Sequence, residues 1–130
     1  MTSLRNDATA WCGLWMAYVA LQAGWDVPMN PLGARNWLAF GMPQQKPALG
    51  DVLVFWRGAS SGFNGHVGLY VGEDAQAFHV LGGNQSDAVT IARIAKSRLL
   101  GARWPVTFPP RLQRLPTMKP GEFLATTNEI

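Results

Sequence analysis

The sequence has one cysteine, two histidines and few charges, and it lacks any long apolar run. A single cysteine excludes an internal disulfide. Because no stretch of about 18 uncharged apolar residues occurs, we expect no membrane insertion. The first ten residues, MTSLRNDATA, lack the apolar core of a secretory signal. We therefore expect the chain to be made in the cytoplasm without a signal peptide.

Charged residues make up 15% of the chain, and the net charge is +3. This small positive excess suits an anionic surface such as a bacterial envelope. The basic residues are scattered and accompany no nucleic-acid-binding motif, so we expect no nucleic-acid partner. The densest basic group consists of Arg93, Lys96, Arg98 and Arg103.

Motifs for metals and cofactors are also missing. The sequence contains no HExxH or CxxC pair, and a site built from Cys12, His66 and His79 would have an unfamiliar spacing. The glycines of "LGGNQ" do not follow a phosphate-loop pattern. We expect neither a metal nor a cofactor.

The 130 residues are 48% hydrophobic, which is enough for one domain with a buried core. An apolar periodicity of three and four residues predicts a first helix from Ala8 to Ala23, capped by Asp7 or Thr9 and ended by Gly24. "NPLGARNWLAFG" predicts a shorter second helix, with Asn30 as its cap and Gly41 at its end. The apolar positions of the first helix are Trp11, Cys12, Trp15, Met16 and Val19; we expect the tryptophans Trp11, Trp15 and Trp37 to build the core.

The second half of the chain has the pattern of strands. "GDVLVFWRG", "HVGLYVG", "AFHVLGG", "AVTIARI" and "RLLGARW" are short β-rich runs, and the second and third flank a turn at residues 73–76. After Trp104, repeated prolines predict an extended tail with little structure of its own. The fold class is therefore α+β, with N-terminal helices packed on an antiparallel sheet.

Cys12 is the first candidate for chemistry. If Thr9 caps the helix, Cys12 lies in the first turn, where unpaired N–H groups and the helix dipole favour the thiolate. The same N–H groups suit the oxyanion of an attacked carbonyl. Free cysteine is also among the most buried residue types, so a purely structural role stays open.

A cysteine nucleophile needs a base, and the chain offers His66 and His79. His66 opens a strand after "GASSGFNG", which predicts a position at a sheet edge facing a cleft. His79 lies within the next strand, where packed or surface roles are common. Asn84, in "GGNQSD" after the hairpin, is placed to orient the His66 ring, and counting from the turn sets His66 opposite Gly82.

These residues carry a resemblance to a known superfamily. The cysteine that follows a tryptophan at the start of a helix, "GDVLVF", "GHVGLYVGE" and "LGGNQSDAV" are similar to the NlpC-type and CHAP-type cysteine peptidases and amidases. The branch found in phage and bacterial cell-wall lytic proteins is the most similar. The resemblance covers about residues 9 to 105, and it implies a papain-like core with Cys12 as nucleophile and His66 as base. The CHAP-type pattern implies Asn84 as third member, whereas many NlpC-type enzymes have a histidine near His79.

The same resemblance implies a function and an organisation. Residues 1–105 would form a papain-like cysteine hydrolase domain, and 106–130 a proline-containing C-terminal tail that matches no part of the family. The expected activity is that of an endolysin-like peptidoglycan hydrolase, cutting a stem-peptide bond or the N-acetylmuramoyl-L-alanine amide through a thioester. It would act on the cell wall, in the periplasm, outside the cell or in a virion. Relatives of this branch usually have more chain before the cysteine than the eleven residues here, so we expect part of the N-terminal wall of the cleft to be missing or supplied by another protein. A phage or secretion-system protein is an expected partner. The alternative is a non-catalytic module of the same fold that binds cell wall or a phage structure.

Overall fold

The computed structural model describes residues 8–83, 88–105 and 126–129. These residues form an α+β fold, as predicted: one α-helix, α1 (Ala8–Gln22), packs on a sheet of seven strands. Two short 3₁₀ helices cover Ala34–Ala39 and Lys96–Arg98. The strands are β1 (Met42–Gln44), β2 (Val52–Trp56), β3 (Gly65–Glu73), β4 (Ala77–Gly83), β5 (Val89–Ala95), β6 (Leu99–Trp104) and β7 (Thr126–Glu129).

The strand order in the sheet is β1-β6-β2-β3-β4-β5-β7. Six strands pair in antiparallel fashion, and β7 adds to β5 in parallel. β2, β3, β4, β5 and β6 coincide with the five runs predicted from the sequence. β3, which carries His66, lies in the middle of the sheet rather than at its edge.

Helix α1 ends as predicted. The N–H of Trp25 donates to the Ala20 carbonyl at 2.8 Å, and the N–H of Gly24 donates to Leu21 at 3.1 Å. This pair of bonds is a Schellman motif, which needs a left-handed residue after the helix. Gly24 fills that position with φ of 79°. No helix within residues 8–83, 88–105 and 126–129 is both long and apolar enough to cross a membrane.

Three local expectations differ from the structure. The second helix is a 3₁₀ helix of six residues, Ala34–Ala39. It begins later than predicted because Asn30 adopts φ of 52° and Gly33 is extended, and neither conformation belongs to a helix. The proline-rich link contributes β1, whose Pro43 pairs with Arg103 at the sheet edge where proline is tolerated. The predicted C-terminal tail contributes β7, in which Thr126 pairs with Ile91.

The core consists of one cluster on each face of the sheet. We call them the helix-side cluster, which includes the buried residues of α1, and the far-side cluster, which is built from strands alone. The helix-side cluster comprises Cys12, Met16, Ala17, Ala20, Trp25, Ala34, Trp37, Phe40, Val52, Val54 and Val67. The far-side cluster comprises Leu53, Phe55, Phe78, Val80, Ala92, Ile94 and Ala102.

The predicted core tryptophans take two different environments. Trp37 is fully buried in the helix-side cluster, and its indole N–H donates to the Pro31 carbonyl at 2.9 Å. Trp11 and Trp15 are only half-buried on α1. The fully buried residues of α1 include Cys12 and Met16. The partly buried Trp15 packs against the helix-side cluster, and Trp11 and Trp15 both lie near Gly83 and Val89.

Candidate functional site

Cys12 lies in the second turn of α1 and not in the first. The helix begins at Ala8, so Cys12 is its fifth residue and its backbone N–H has an intrahelical acceptor. The expectation that this N–H is unpaired, which assumed Thr9 as cap, is therefore wrong. Residues 8–10 are helical, so α1 begins earlier than a cap at Thr9 would allow. The Cys12 side chain is fully buried in the helix-side cluster.

His66 is the second residue of β3, and it is 4% exposed. The prediction of a cleft-facing position at a sheet edge fails because β3 has β2 on one side and β4 on the other. The hairpin between β3 and β4 also contains a register shift between Tyr70 and Gly72. With Leu69 opposite Leu81, Gly82 lies diagonal to His66 rather than opposite to it.

Cys12 and His66 are associated with opposite faces of the sheet. Val54 pairs with Val67, and both belong to the helix-side cluster that contains Cys12. The next pair is Phe55 with His66, and Phe55 belongs to the far-side cluster. Because side chains alternate along a strand, His66 leaves β3 on the far side. The described residues include no hydrogen bond between the Cys12 sulfur and the His66 ring.

The His66 ring is held by an arginine. Arg57 Nη2 lies 3.4 Å from His66 Nδ1. A guanidinium only donates hydrogen bonds, so Nδ1 is the acceptor and the neutral ring carries its proton on Nε2. Burial, with the positive charges of Arg57 and Arg98, lowers the pKa of His66 from 6.5 to about 3. The imidazole is therefore neutral at physiological pH.

The other nitrogen of His66 is buried and, in the described part of the chain, has no hydrogen-bond partner. It lies 3.4 Å from the position that a Cβ would occupy at Gly82, so the glycine makes room for the ring. Asn84, the predicted orienting residue, follows two positions later in the chain and lies outside the described residues.

His79, the alternative third member, has a different environment. It is fully buried, and its Nε2 lies 2.7 Å from Asp74 Oδ2. Arg93 donates to the same carboxylate at 2.9 and 3.1 Å, and together with the backbone N–H of Gln76 and with His79 it holds the pKa of Asp74 well below its usual range. Phe78 and Val80, on either side of His79, belong to the far-side cluster. His79 therefore projects from the face opposite to His66.

An apolar groove of about 390 Å³ runs beside the amino-terminal half of α1. Tyr18 on its wall is 62% exposed and Leu14 is 39% exposed. Its floor includes Gly83, where a Cβ would lie only 2.9 Å from the Trp15 Cβ. The groove is lined by Trp11, Leu14, Trp15, Tyr18, Gly83, Ala88 and Val89.

Sequence reasoning missed the two arginines whose charges act on His66. Arg57 follows β2 directly, and its backbone N–H donates to the Asn64 carbonyl at 3.1 Å across the hairpin. Arg98 donates from Nε to the Trp56 carbonyl at 3.0 Å. The contact of Arg57 with His66 was predictable, because β2 and β3 form an antiparallel hairpin. In such a hairpin the residue that follows β2 lies beside the first residues of β3. Arg98 lies more than thirty residues from His66 in sequence, and no local pattern indicates it.

The described residues contain no group of three histidine, cysteine or carboxylate side chains that could hold a metal ion. Comparison with known proteins adds no assignment: no family model, no curated protein and no solved structure matches this chain significantly.

Proposed function

We propose that this chain is a papain-like cysteine hydrolase that cleaves an amide bond of peptidoglycan. Support comes from the order of its motifs, with Cys12 on the first helix, His66 at the start of a strand and Asn84 after the following hairpin. The cysteine helix packs on the sheet whose central strand carries the histidine, but the two side chains lie on opposite faces, so the proposal requires a rearrangement that brings them together.

The observation that carries the proposal is the order of these motifs along the chain. A general base must be neutral before the reaction, as buried His66 is. A pKa lowered to about 3 also makes this imidazole a weak base, so the proposed reaction requires a change of environment that raises the pKa. The proton on Nε2 leaves the lone pair on Nδ1, so one nitrogen can accept a proton while the other donates to an orienting group. Asn84 is the residue that we assign to that orienting role, because Gly82, which the Nε2 atom faces, precedes it by two positions.

The proposed reaction has two steps. His66 Nδ1 accepts the proton of Cys12, and the thiolate attacks the amide carbonyl to form a tetrahedral intermediate. The imidazolium then protonates the leaving amine, and a thioester on Cys12 is left. A water molecule, deprotonated by His66, hydrolyses the thioester and restores the thiol. These steps require Nδ1 to exchange Arg57 for the Cys12 sulfur.

The proposed substrate places the protein at the bacterial cell wall. Either a stem-peptide bond or the bond between muramic acid and L-alanine contains the amide that this chemistry needs. A phage or secretion-system protein would deliver the enzyme across the membrane. The net charge of +3 favours adsorption to the anionic envelope.

A second candidate is a module that binds cell wall or a phage structure without cutting it. The full burial of Cys12 favours this candidate, since a buried thiol of this kind behaves as a small apolar residue. The exposed aromatic wall of the groove beside α1 would then be the binding surface.

Mass analysis of the soluble products from purified peptidoglycan separates the two functions. A hydrolase releases fragments whose masses identify the cleaved amide, and Cys12→Ala releases none while it still sediments with the walls. A binding module sediments with the walls in both forms and releases nothing. Wild-type protein that leaves the walls intact contradicts the hydrolase proposal.

A further inference from the structure

The exposed face of helix α1 is apolar where a surface helix is usually polar. None of the residues of α1 carries a charge. Tyr18 is 62% exposed, and Val89 at the start of β5, which lines the same groove, is 50% exposed. A surface helix normally places charged residues on the face away from the core. A contiguous apolar patch of this kind indicates a surface that binds a partner.

Aromatic rings form much of the groove wall on the α1 side. Trp11, Trp15 and Tyr18 recur at steps of four and three residues, so they lie in one row on the helix surface. At a rise of about 1.5 Å per residue, the row is about 10 Å long. The floor at Gly83 has no side chain, which leaves a concave groove beside the row. Its volume of about 390 Å³ lies within the range of about 300–1,000 Å³ that is common for small-molecule sites.

The chemistry of the lining distinguishes between the two parts of peptidoglycan. Among the lining residues that the structure describes, none is charged. The stem peptides carry free carboxylates and amines, and burial of an unpaired charge is costly. The sugars of the glycan strand are uncharged while the peptide is attached, because the lactyl carboxylate of muramic acid is then an amide. Their flat C–H faces stack on aromatic rings, and their N-acetyl methyl groups suit an apolar floor.

We propose that this groove is a subsite for the glycan strand of peptidoglycan, with N-acetylated sugars stacked along the row of Trp11, Trp15 and Tyr18. The row is about as long as a disaccharide. This inference rests on the proposed function for its substrate, and it adds that the glycan rather than the stem peptide is held beside α1. A second copy of the chain is a poorer occupant, because the exposed apolar side chains at the groove are few whereas a stable dimer buries about 800 Å² on each partner.

The test is the binding of chitotetraose, a neutral chain of β-1,4-linked N-acetylglucosamine, to the ¹⁵N-labelled full-length protein. The wild type should bind it saturably, with amide shift changes concentrated in α1 and near Gly83 and Val89. Tyr18→Ala removes a ring from the groove and should raise the Kd at least about fivefold, whereas Tyr18→Phe keeps the ring and should stay within about twofold of the wild type. Leu21→Ala is the matched control and should change the Kd by less than about twofold, because Leu21 lies on the same helix, is 63% exposed and does not line the groove.

The same titration with the free stem peptide should give weaker binding than chitotetraose gives. The inference is overturned if chitotetraose does not bind, if Tyr18→Ala binds it as tightly as Leu21→Ala does, or if the stem peptide binds the groove more tightly. Self-association of the wild type that Tyr18→Ala abolishes would assign the groove to a second copy and would also overturn it. Because binding needs no turnover, protein that binds chitotetraose but releases no fragments from peptidoglycan contradicts the hydrolase function alone. Protein that releases fragments without binding chitotetraose contradicts this inference alone.

Discussion

Phe55 lies directly opposite His66 in the antiparallel pair of β2 and β3, so the imidazole leaves the sheet on the face away from the Cys12 cluster. His66 is the second residue of β3, and only Gly65 separates it from the preceding loop. The pairing with β2 continues past His66, because Trp56 pairs with Gly65 and the N–H of Arg57 donates to the Asn64 carbonyl at 3.1 Å. Catalysis by Cys12 and His66 therefore requires a rearrangement of β3 that moves the imidazole to the face of the Cys12 cluster.

The lowered pKa of His66 predicts a loss of stability on mild acidification. The unfolded chain binds a proton near pH 6.5, while the folded chain does so only near pH 3. Between these values the unfolded state holds more protons, so the free energy of unfolding falls as the pH falls. From pH 7 to pH 5 we expect a loss of about 2 kcal/mol from this residue. Urea unfolding at pH 7, 6 and 5 measures it.

The control for this pH dependence is His66→Gln, which does not titrate. The difference between the two proteins isolates His66, since every other group is common to both. The Asp74 carboxylate, whose pKa is depressed by Arg93, adds a loss only below its ordinary value of 3.8 and so lies outside the measured range. Parallel pH profiles for the two proteins would mean that the folded state does not keep His66 neutral.

Gly83→Ala should loosen the contact between α1 and the sheet. The added methyl group would lie 2.9 Å from the Trp15 Cβ and 3.2 Å from the Trp11 carbonyl oxygen. Relief of these contacts requires a shift of the α1 backbone, which costs free energy. We expect a loss of about 1–3 kcal/mol in the free energy of unfolding. Gly62→Ala is the matched control, because the atom nearest to its added methyl group, the Ala59 carbonyl oxygen, is 3.5 Å away, and it should cost less than about 0.5 kcal/mol. Equal midpoints of urea unfolding for the two variants would disprove the close packing.

Replacement of His79 and of Asn84 should have opposite effects. His79→Asn breaks the bond to Asp74 inside the core and should lower the free energy of unfolding by about 1–3 kcal/mol, while the folded protein keeps most of its activity. Asn84→Ala should retain stability and lose at least tenfold in kcat, because the orientation of the His66 ring is lost. Urea unfolding curves and the release of peptidoglycan fragments, measured on the same preparations, separate the effect on stability from the effect on activity. A His79→Asn protein that is folded but inactive would assign the third role to His79.

The sequence contained enough information for the α+β class and for five of the strands, because each of these runs is apolar and bounded by glycine or a turn. The end of α1 was also predictable from a local feature, since Gly24 readily adopts the positive φ that follows a helix. β1 and β7 escaped prediction because each pairs with a strand more than thirty residues away, and their composition resembles a loop.

The candidate site was less accessible to sequence reasoning. Cys12, His66 and Asn84 were identifiable from their motifs, but the faces to which Cys12 and His66 belong depend on the pairing register. One bulge between Tyr70 and Gly72 changes that register, and no residue pattern signals it. The influence of Arg98 on His66 depends on the placement of β6 beside β2, which is a property of the whole sheet.

The most direct test of the account is the rate at which new amino groups appear in purified peptidoglycan treated with wild type or with Cys12→Ser. Serine preserves the size of the side chain but buries a hydroxyl in the apolar helix-side cluster, which should cost about 1–3 kcal/mol. Rates are therefore compared at a temperature where urea unfolding shows both proteins folded. The account predicts that the wild type liberates amines and that Cys12→Ser is slower by at least about a thousandfold, as expected for loss of a nucleophile. Equal rates for the two folded proteins, or no amines from the wild type, would contradict it.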